Sequence, residues 1–348
     1  MKPHIARALV AAALGASLLH VADTWSADAA LTPAEHRRGE EQTFLTFPEW
    51  FLVFSPAEYA HFVKRQPPSE FPFLGHVRQF WSSYSHVYRA SKDGYPFNFG
   101  YHVMILVIGT STTLEYALRS AYETLIGRVS ELTQRHGMTE EDRFGAKVAQ
   151  DYVDFIRERP WYEYDFWGKL KGLWRETSLV GPDMLRKWER KYALTSEYGA
   201  KAIYGWLIML GTKASYDEAL PVTAVVVDRL PEPAGADVKV LEKLPDGGAL
   251  VLVPRYAAFR TSTGAIARGG TNFREIAGNG AQAPILVSVL APAGWTPPAP
   301  GAQILFTQPL VTQPGAQRVA LTVPVGGLAE LLRKLEAAPV RVEHVYDY

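Results

Sequence analysis

Glu115, Arg119 and Glu123 stand at i, i+4 and i+8, directly after a charge-free apolar stretch. That spacing draws a line of alternating charge along one face of a helix. If the face is shielded, the trio forms an ionic network or the polar wall of a pocket, with the shifted pKa values that acid–base catalysis requires. If it is exposed, the same residues are an ordinary solvated helix surface. They are the candidate catalytic groups of the chain.

Glu58 and His61 form one E-x-x-H element, which on a helix turns a carboxylate and an imidazole toward one side of a di-iron bundle. Such a bundle needs a second element and two further glutamates, and no second E-x-x-H exists. His76, His86 and His102 surround an aromatic-rich stretch and complete the set of candidate metal ligands. At ~100° per residue, His76 and His86 lie roughly 80° apart on a helix, so local structure does not pair them. The nine histidines include no HxxxH or HxH pair. With no cysteine, thiolate metal sites, iron–sulfur clusters, cysteine nucleophiles and disulfides are excluded. No cofactor is expected.

Pro160 to Trp167 brings together aromatic rings and two acids. Aromatics with carboxylates can stack on a sugar or seat a helix at a membrane interface, while anchors in a helical core use the same residues without a ligand. Gly278 to Ala283 resembles the G-x-G-x-x-A dinucleotide loop, but a helical segment precedes it and a strand comes after it, the reverse of the order that loop requires. The phosphate-binding P-loop, the G-x-S-x-G elbow and the H-E-x-x-H zinc motif are all absent.

The elements that must position these residues divide by composition. Eight of nine Trp and fourteen of seventeen Tyr fall before Asp217, and the remainder is rich in Val, Gly and Pro. This predicts a helical domain over residues 30–218 and an α+β domain over 219–348, with the boundary near Ala219 to Pro221 and a linker at Pro231 to Gly235. Internal repeats are not visible in the sequence.

In the first domain, Val77, Phe80, Trp81, Tyr84, Val87 and Tyr88 recur at helical spacing. Thr139 with Glu140, Glu141 and Asp142 reads as a helix start, continued by Phe144, Val148, Tyr152, Phe155 and Ile156. Met184, Leu185, Trp188 and Tyr192 repeat the pattern. A further helix is expected from a cap at Thr195, burying Ile203, Trp206, Leu207 and Leu210. Gly94 to Leu114 carries no Asp, Glu, Lys or Arg; its polar and glycine residues favour a buried core helix over a second membrane span. In the second domain, strands at 249–253, 285–290, 318–325 and 340–346 alternate with helical spacing at 256–266 and 328–335. That order is expected of a ferredoxin-like βαββαβ sandwich with extra strands.

Lys2 and Arg7 precede an apolar run from Ala8 to Leu19, with Asp23, Asp28 and Glu35 beyond it. This is the pattern of a signal peptide cleaved after Ala29 or of an N-terminal transmembrane anchor over residues 1–29, and its charge asymmetry places the body of the chain outside the cytoplasm. Basic and acidic residues balance at 36 each, as 25 and 25 through Asp217 and 11 and 11 beyond it. No basic field exists to hold nucleic acid. At 348 residues, with 47% hydrophobic and 21% charged, the chain is expected to be a cell-envelope protein. It is exported or membrane-anchored through its N-terminal segment, and acts by binding or scaffolding rather than catalysis. The alternatives are a hydrolase-like envelope enzyme with an acidic site in the helical domain, and a membrane protein with a second span at 94–114.

Overall fold

A computed structural model describes residues 30–212, 220–230 and 238–348. The N-terminal segment, Ala219 and the Pro231 to Gly235 linker lie outside the described residues. The chain is mixed α+β and divides into two compact units. The first holds residues 50–80 and 99–212; the second holds 30–49, 81–98, 220–230 and 238–348.

The helices of the first part of the chain are α1 (Gln42–Phe62), α2 (Phe73–Ser91), α3 (Phe99–Tyr122), α4 (Glu140–Ile156), α5 (Phe166–Glu176) and α6 (Met184–Thr212). Thr139 caps α4 in a full capping box with Asp142. Asp165 caps α5 by accepting from Gly168 N–H. Pro48 and Pro56 sit inside α1 and remove two N–H donors from its ladder. At its C-terminal end α3 widens into a single π turn, Glu123–Gly127, and continues through the short turn Arg128–Glu131.

The structure overturns two expectations about burial, one from helical periodicity and one from a charge-free stretch. Residues 184–212 form one continuous helix, and Thr195 is not a cap: its hydroxyl accepts from Trp174 Nε1 at 3.0 Å. The stripe expected to be buried, Leu185, Trp188, Tyr192, Ile203, Trp206 and Leu207, is the exposed face. The side chains turned inward are Arg186, Lys187, Glu189, Arg190 and Lys191 in its first half and Leu194, Tyr198 and Ala202 in its second. Likewise the charge-free stretch before Leu114 is not a buried core helix: His102, Ile105 and Gly109 are buried, while Phe99, Leu106, Val107 and Leu114 face outward. Hydrophobic spacing identifies a face, not the side on which it lies, and in the first half of α6 ion pairing claims the interior. Among the described residues, no helix is long and apolar enough to cross a membrane.

The second unit contains two antiparallel sheets. One has the order β2-β3-β1-β4-β5, from Val222–Val227 (β1), Lys239–Lys243 (β2), Ala249–Pro254 (β3), Phe273–Ile276 (β4) and Asn279–Gly280 (β5). The other has the order β7-β8-β6-β9, from Pro284–Pro292 (β6), Gln303–Pro309 (β7), Ala316–Pro324 (β8) and Arg341–Val345 (β9). Helix α7 (Ala257–Arg268) joins β3 to β4, and α8 (Leu328–Glu336) joins β8 to β9.

β1 is antiparallel to both β3 and β4, so those two run parallel on either side of it. β6 stands in the same relation to β8 and β9. Each sheet is therefore the same βββαβ unit: a central first strand, a hairpin to one edge, and a helical crossover to the other. In both, the third strand ends in Val-Pro, at Val253-Pro254 and Val323-Pro324. A repeat invisible as residue identity is present as topology.

This corrects the expected single ferredoxin-like sheet. The return strand after α7 is the short Phe273–Ile276, whose Arg274 and Glu275 dilute its apolar signal, and the strand at 285–290 opens a second sheet instead. The core is shared: Val225, Val251, Val287 and Leu321 from the sheets meet Phe259 and Leu331 from α7 and α8. On the other face of the second sheet, Phe47 packs between Phe306 and Tyr346 at 5.0 and 5.7 Å. Thr43 accepts from Leu286 N–H at 2.9 Å. Asp347, held by Arg38 at 2.9 Å, Arg255 at 3.1 Å and the Thr223 hydroxyl, ties down the buried 344–348 segment.

Candidate functional site

Helices α3 and α6 run antiparallel within the first unit, and this brings two acid–base pairs with the same i, i+4 spacing face to face. Glu115 and Arg119 come from α3, and Glu197 and Lys201 from α6. Arg119 Nη1 lies 3.1 Å from Glu197 and 3.6 Å from Glu115. Lys201 Nζ lies 2.8 Å from Glu197 and 3.1 Å from Glu115. Each acid touches both bases, which closes a four-membered ring of alternating sign. Aromatic rings back the cations: Arg119 sits 4.5 Å over Tyr59 and 5.0 Å over Phe73, and Lys201 lies 5.6 Å from Tyr152.

The ring edges a cavity of about 100 Å³, room for several waters or a small ligand. Its remaining walls are apolar and phenolic, from Phe51, Tyr59, Tyr116, Val148, Tyr152 and Tyr198. Burial alone would raise the Glu197 carboxyl, but the charges of Arg119 and Lys201 overcome it and hold the group at about 2. Burial likewise works against the charge on Lys201, and Glu115 with Glu197 reverses that, keeping the ammonium firmly protonated. Tyr59 and Tyr116 are pushed up to about 12, chiefly by burial, so both phenols carry their protons at neutral pH. The chemistry on offer is a compensated set of fixed charges with neutral hydroxyls. A carboxylic acid poised to give up a proton would need the opposite shift on Glu197.

Deeper in the wall, Ser55 Oγ is 2.7 Å from Tyr116 OH and 3.0 Å from His76 Nδ1. The far nitrogen of His76 lies 3.7 Å from the Glu58 carboxylate. Phe71 stacks on the imidazole at 4.7 Å and fixes its plane. A serine, a histidine and a carboxylate in sequence is the order of a nucleophilic triad. The residue after Ser55 is Pro56, which has no N–H, and Ser55 lies within α1. The backbone donor that comes directly after the nucleophile in such enzymes is therefore missing.

Of the groups singled out in the sequence, Glu115 and Arg119 thus meet at the cavity. Glu123 does not join them, because the π turn carries it into a neighbouring network. There it binds Arg190 through two contacts of 3.0 Å, and Arg190 also binds Glu189. The same network continues through Arg186 to Asp142 at 3.1 Å, and a second cluster beside it pairs Lys187 with Glu141 at 2.9 Å. Glu58 and His61 separate, the first buried beside His76 and the second exposed. His102 is buried on α3, and burial lowers its pKa. His86 belongs to the second unit, where its ring lies 4.9 Å from that of Phe306. Among the described residues, no group of three or more His, Asp or Glu is placed to hold a metal ion.

Sequence reasoning missed Glu197, Lys201, Ser55 and the tyrosines. Glu197 and Lys201 did carry a signal, the acid–base i, i+4 spacing already noticed at Glu115 and Arg119. No family model, curated protein or solved structure matches this chain.

Proposed function

We propose that this chain is a cell-envelope protein that acts by binding, and that its helical unit receives a small zwitterion in the cavity bounded by Glu115, Arg119, Glu197 and Lys201. The observation that carries the reading is the closed ring. Two cations and two carboxylates already neutralise one another, so a ligand of net charge would leave a partly buried charge without a counterion. A molecule carrying both signs can insert between acid and base and keep every charge paired. The Tyr116 ring in the cavity wall adds an aromatic surface suited to an ammonium group.

The envelope address is supported by the basic start, the apolar run from Ala8 to Leu19 and the acids beyond it. A C-terminal alkaline phosphatase fusion tests it, since that enzyme is active only outside the cytoplasm. An inactive fusion at normal expression removes the address.

Binding is tested by calorimetric titration of the full chain with glycine betaine, choline and acetate. Heat of binding with betaine alone, lost in Glu197→Gln, is expected. Saturable binding of choline or acetate without betaine would overturn the zwitterion reading.

A second reading has a specific observation behind it. Ser55, His76 and Glu58 line up as nucleophile, base and orienting acid, which favours the hydrolase alternative. Labelling by a fluorophosphonate probe that disappears in Ser55→Ala would establish that reading. An unlabelled, folded wild-type chain would leave binding as the function.

A further inference from the structure

We infer that the outer face of helices α3 and α6 rests in the acyl region of a lipid bilayer, so that the helical unit lies along the membrane instead of standing clear of it. In that unit ion pairs occupy part of the interior while a continuous outward side of α3 and α6 is apolar, an arrangement that water does not favour.

Beside the apolar cluster of Val148, Phe166, Leu194 and Tyr198, the interior where α6 meets α4 and the π turn of α3 is ionic. Glu123, Asp142, Glu141 and Glu189 are buried against Arg186, Lys187, Arg190 and Lys191. The outward side of α3 and α6 is apolar. Leu114, Leu118, Leu125 and Val129 form one stripe along α3 and its continuation. Leu185, Trp188, Ile203, Trp206, Leu207 and Leu210 form another along the whole of α6.

The stripes are neighbours, since the rings of Tyr122 and Tyr192 meet at 6.3 Å between them. The surface continues onto α5, where Trp174 meets Trp188 at 6.3 Å. In water each exposed leucine forgoes ~1.5–3 kcal/mol of burial. The ion pairs inside offer little in return, because buried pairs roughly break even with apolar residues. Against hydrocarbon both signs change: the leucines cost nothing outside, and the charges are paired where lipid cannot reach them.

Three features select lipid over a second copy as the occupant. The α6 stripe runs along a helix of 29 residues, ~44 Å long at 1.5 Å per residue. The apolar surface also turns from α3 across α6 onto α5, so one two-fold contact would cover only part of it. Trp174, Trp188, Tyr192, Tyr204 and Trp206 stud its length, the residue types that settle where acyl chains meet headgroups. And where the apolar stripe of α3 ends, at Val129 and Leu132, Arg128 and Arg135 are exposed, positioned to meet phosphate. Since no described helix is apolar enough to cross, the arrangement is that of an interfacial, half-immersed domain.

The chain contains no cysteine, so single spin labels can be placed without removing native residues. Leu118→Cys, Leu185→Cys and Ile203→Cys are labelled in the full chain and reconstituted with phosphatidylethanolamine–phosphatidylglycerol vesicles. Asp154→Cys, on the exposed polar side of α4, is the reference. Collision with oxygen is expected to exceed collision with a water-soluble nickel chelate several-fold at the first three positions, with the order reversed at 154. Nickel access at 118, 185 and 203 would show that the face stands in water and that the protein is held only by its N-terminal segment, which overturns the inference. Low access to both reagents would show that protein covers the face, and overturns it equally.

Discussion

Glu123 and Arg190 join through two parallel contacts of 3.0 Å at the point where α3 widens into its π turn. Gly127, one turn further on, makes the space for them: a Cβ there would collide with the Glu123 carboxylate and lie 3.5 Å from the Arg190 guanidinium. Its φ of −56° is ordinary helix, so it is room and not backbone freedom that requires glycine. A π turn, a glycine and a bidentate pair are thus one device for turning an acid inward.

Gly127→Ala is therefore expected to destabilise the helical unit by ~1–3 kcal/mol through overpacking, even though alanine is the better helix former. Glu123→Gln, which leaves a buried guanidinium short of a counterion, is expected to cost ~3–5 kcal/mol. Urea denaturation reads both as a lower midpoint at unchanged slope.

At the cavity, Glu197 is held at about 2 because Arg119 and Lys201 outweigh the opposing effect of burial. A carboxyl depressed below its unfolded value of ~4.3 contributes stability above that pH and loses it as pH falls toward 2. Glu197→Gln is expected to be less stable than the wild type at neutral pH by ~1–3 kcal/mol, and to lose less between pH 5 and 2. Thermal melts across that range check that the two curves converge.

Alkali acts on the same walls with the opposite sign. Burial raises the Tyr59 and Tyr116 phenols to about 12, above the unfolded value of ~10, so the folded state retains protons the unfolded chain gives up. Stability is expected to fall as pH rises from ~10 toward 12. In a spectrophotometric titration of phenolate, Tyr59→Phe and Tyr116→Phe should each remove one late-ionising group, and a loss of early-ionising signal instead would contradict the assignment.

In the second unit, burial drives the His344 imidazole down to about 3, against a smaller upward pull from Asp347. The native state keeps this ring neutral while the unfolded chain protonates it near pH 6.5, so stability declines as pH drops from ~6.5 to 3, by up to ~1.4 kcal/mol per pH unit. His344→Leu is expected to flatten that limb, measured by near-ultraviolet circular dichroism of the full chain during acid titration.

Local signals were the legible part. The Thr139 cap, the α2 and α4 periodicities and the strand–helix–strand passage over 318–346 are each written in a few adjacent residues, and each is found. What was not legible depends on partners distant in sequence. The spacing of Leu185, Trp188 and Ile203 fixes a helical face, but its side is decided by Arg186, Arg190 and Lys187 finding Asp142, Glu123 and Glu141. Glu115 and Arg119 were recognisable as a charged pair, whereas the ring exists only because α6 returns antiparallel with Glu197 and Lys201 in register. Similarly, Phe273 to Ile276 is too short and too polar to announce a strand until β1 is beside it.

The twice-used βββαβ unit bears on how this part of the chain is made and how it folds. One copy alone would present α7 or α8 on an open apolar face, with nothing to cover Phe259 or Leu331. A solitary half would therefore have to find a twin, and joining two in one chain makes that encounter intramolecular, at the high effective concentration a short tether gives. The eventual match need not lie in residue identity, since what the halves share is the order in which hairpin and crossover close. Each can assemble from its own near neighbours before the pair of helices seals them, a modular route in which damage to one half leaves the other able to form its sheet.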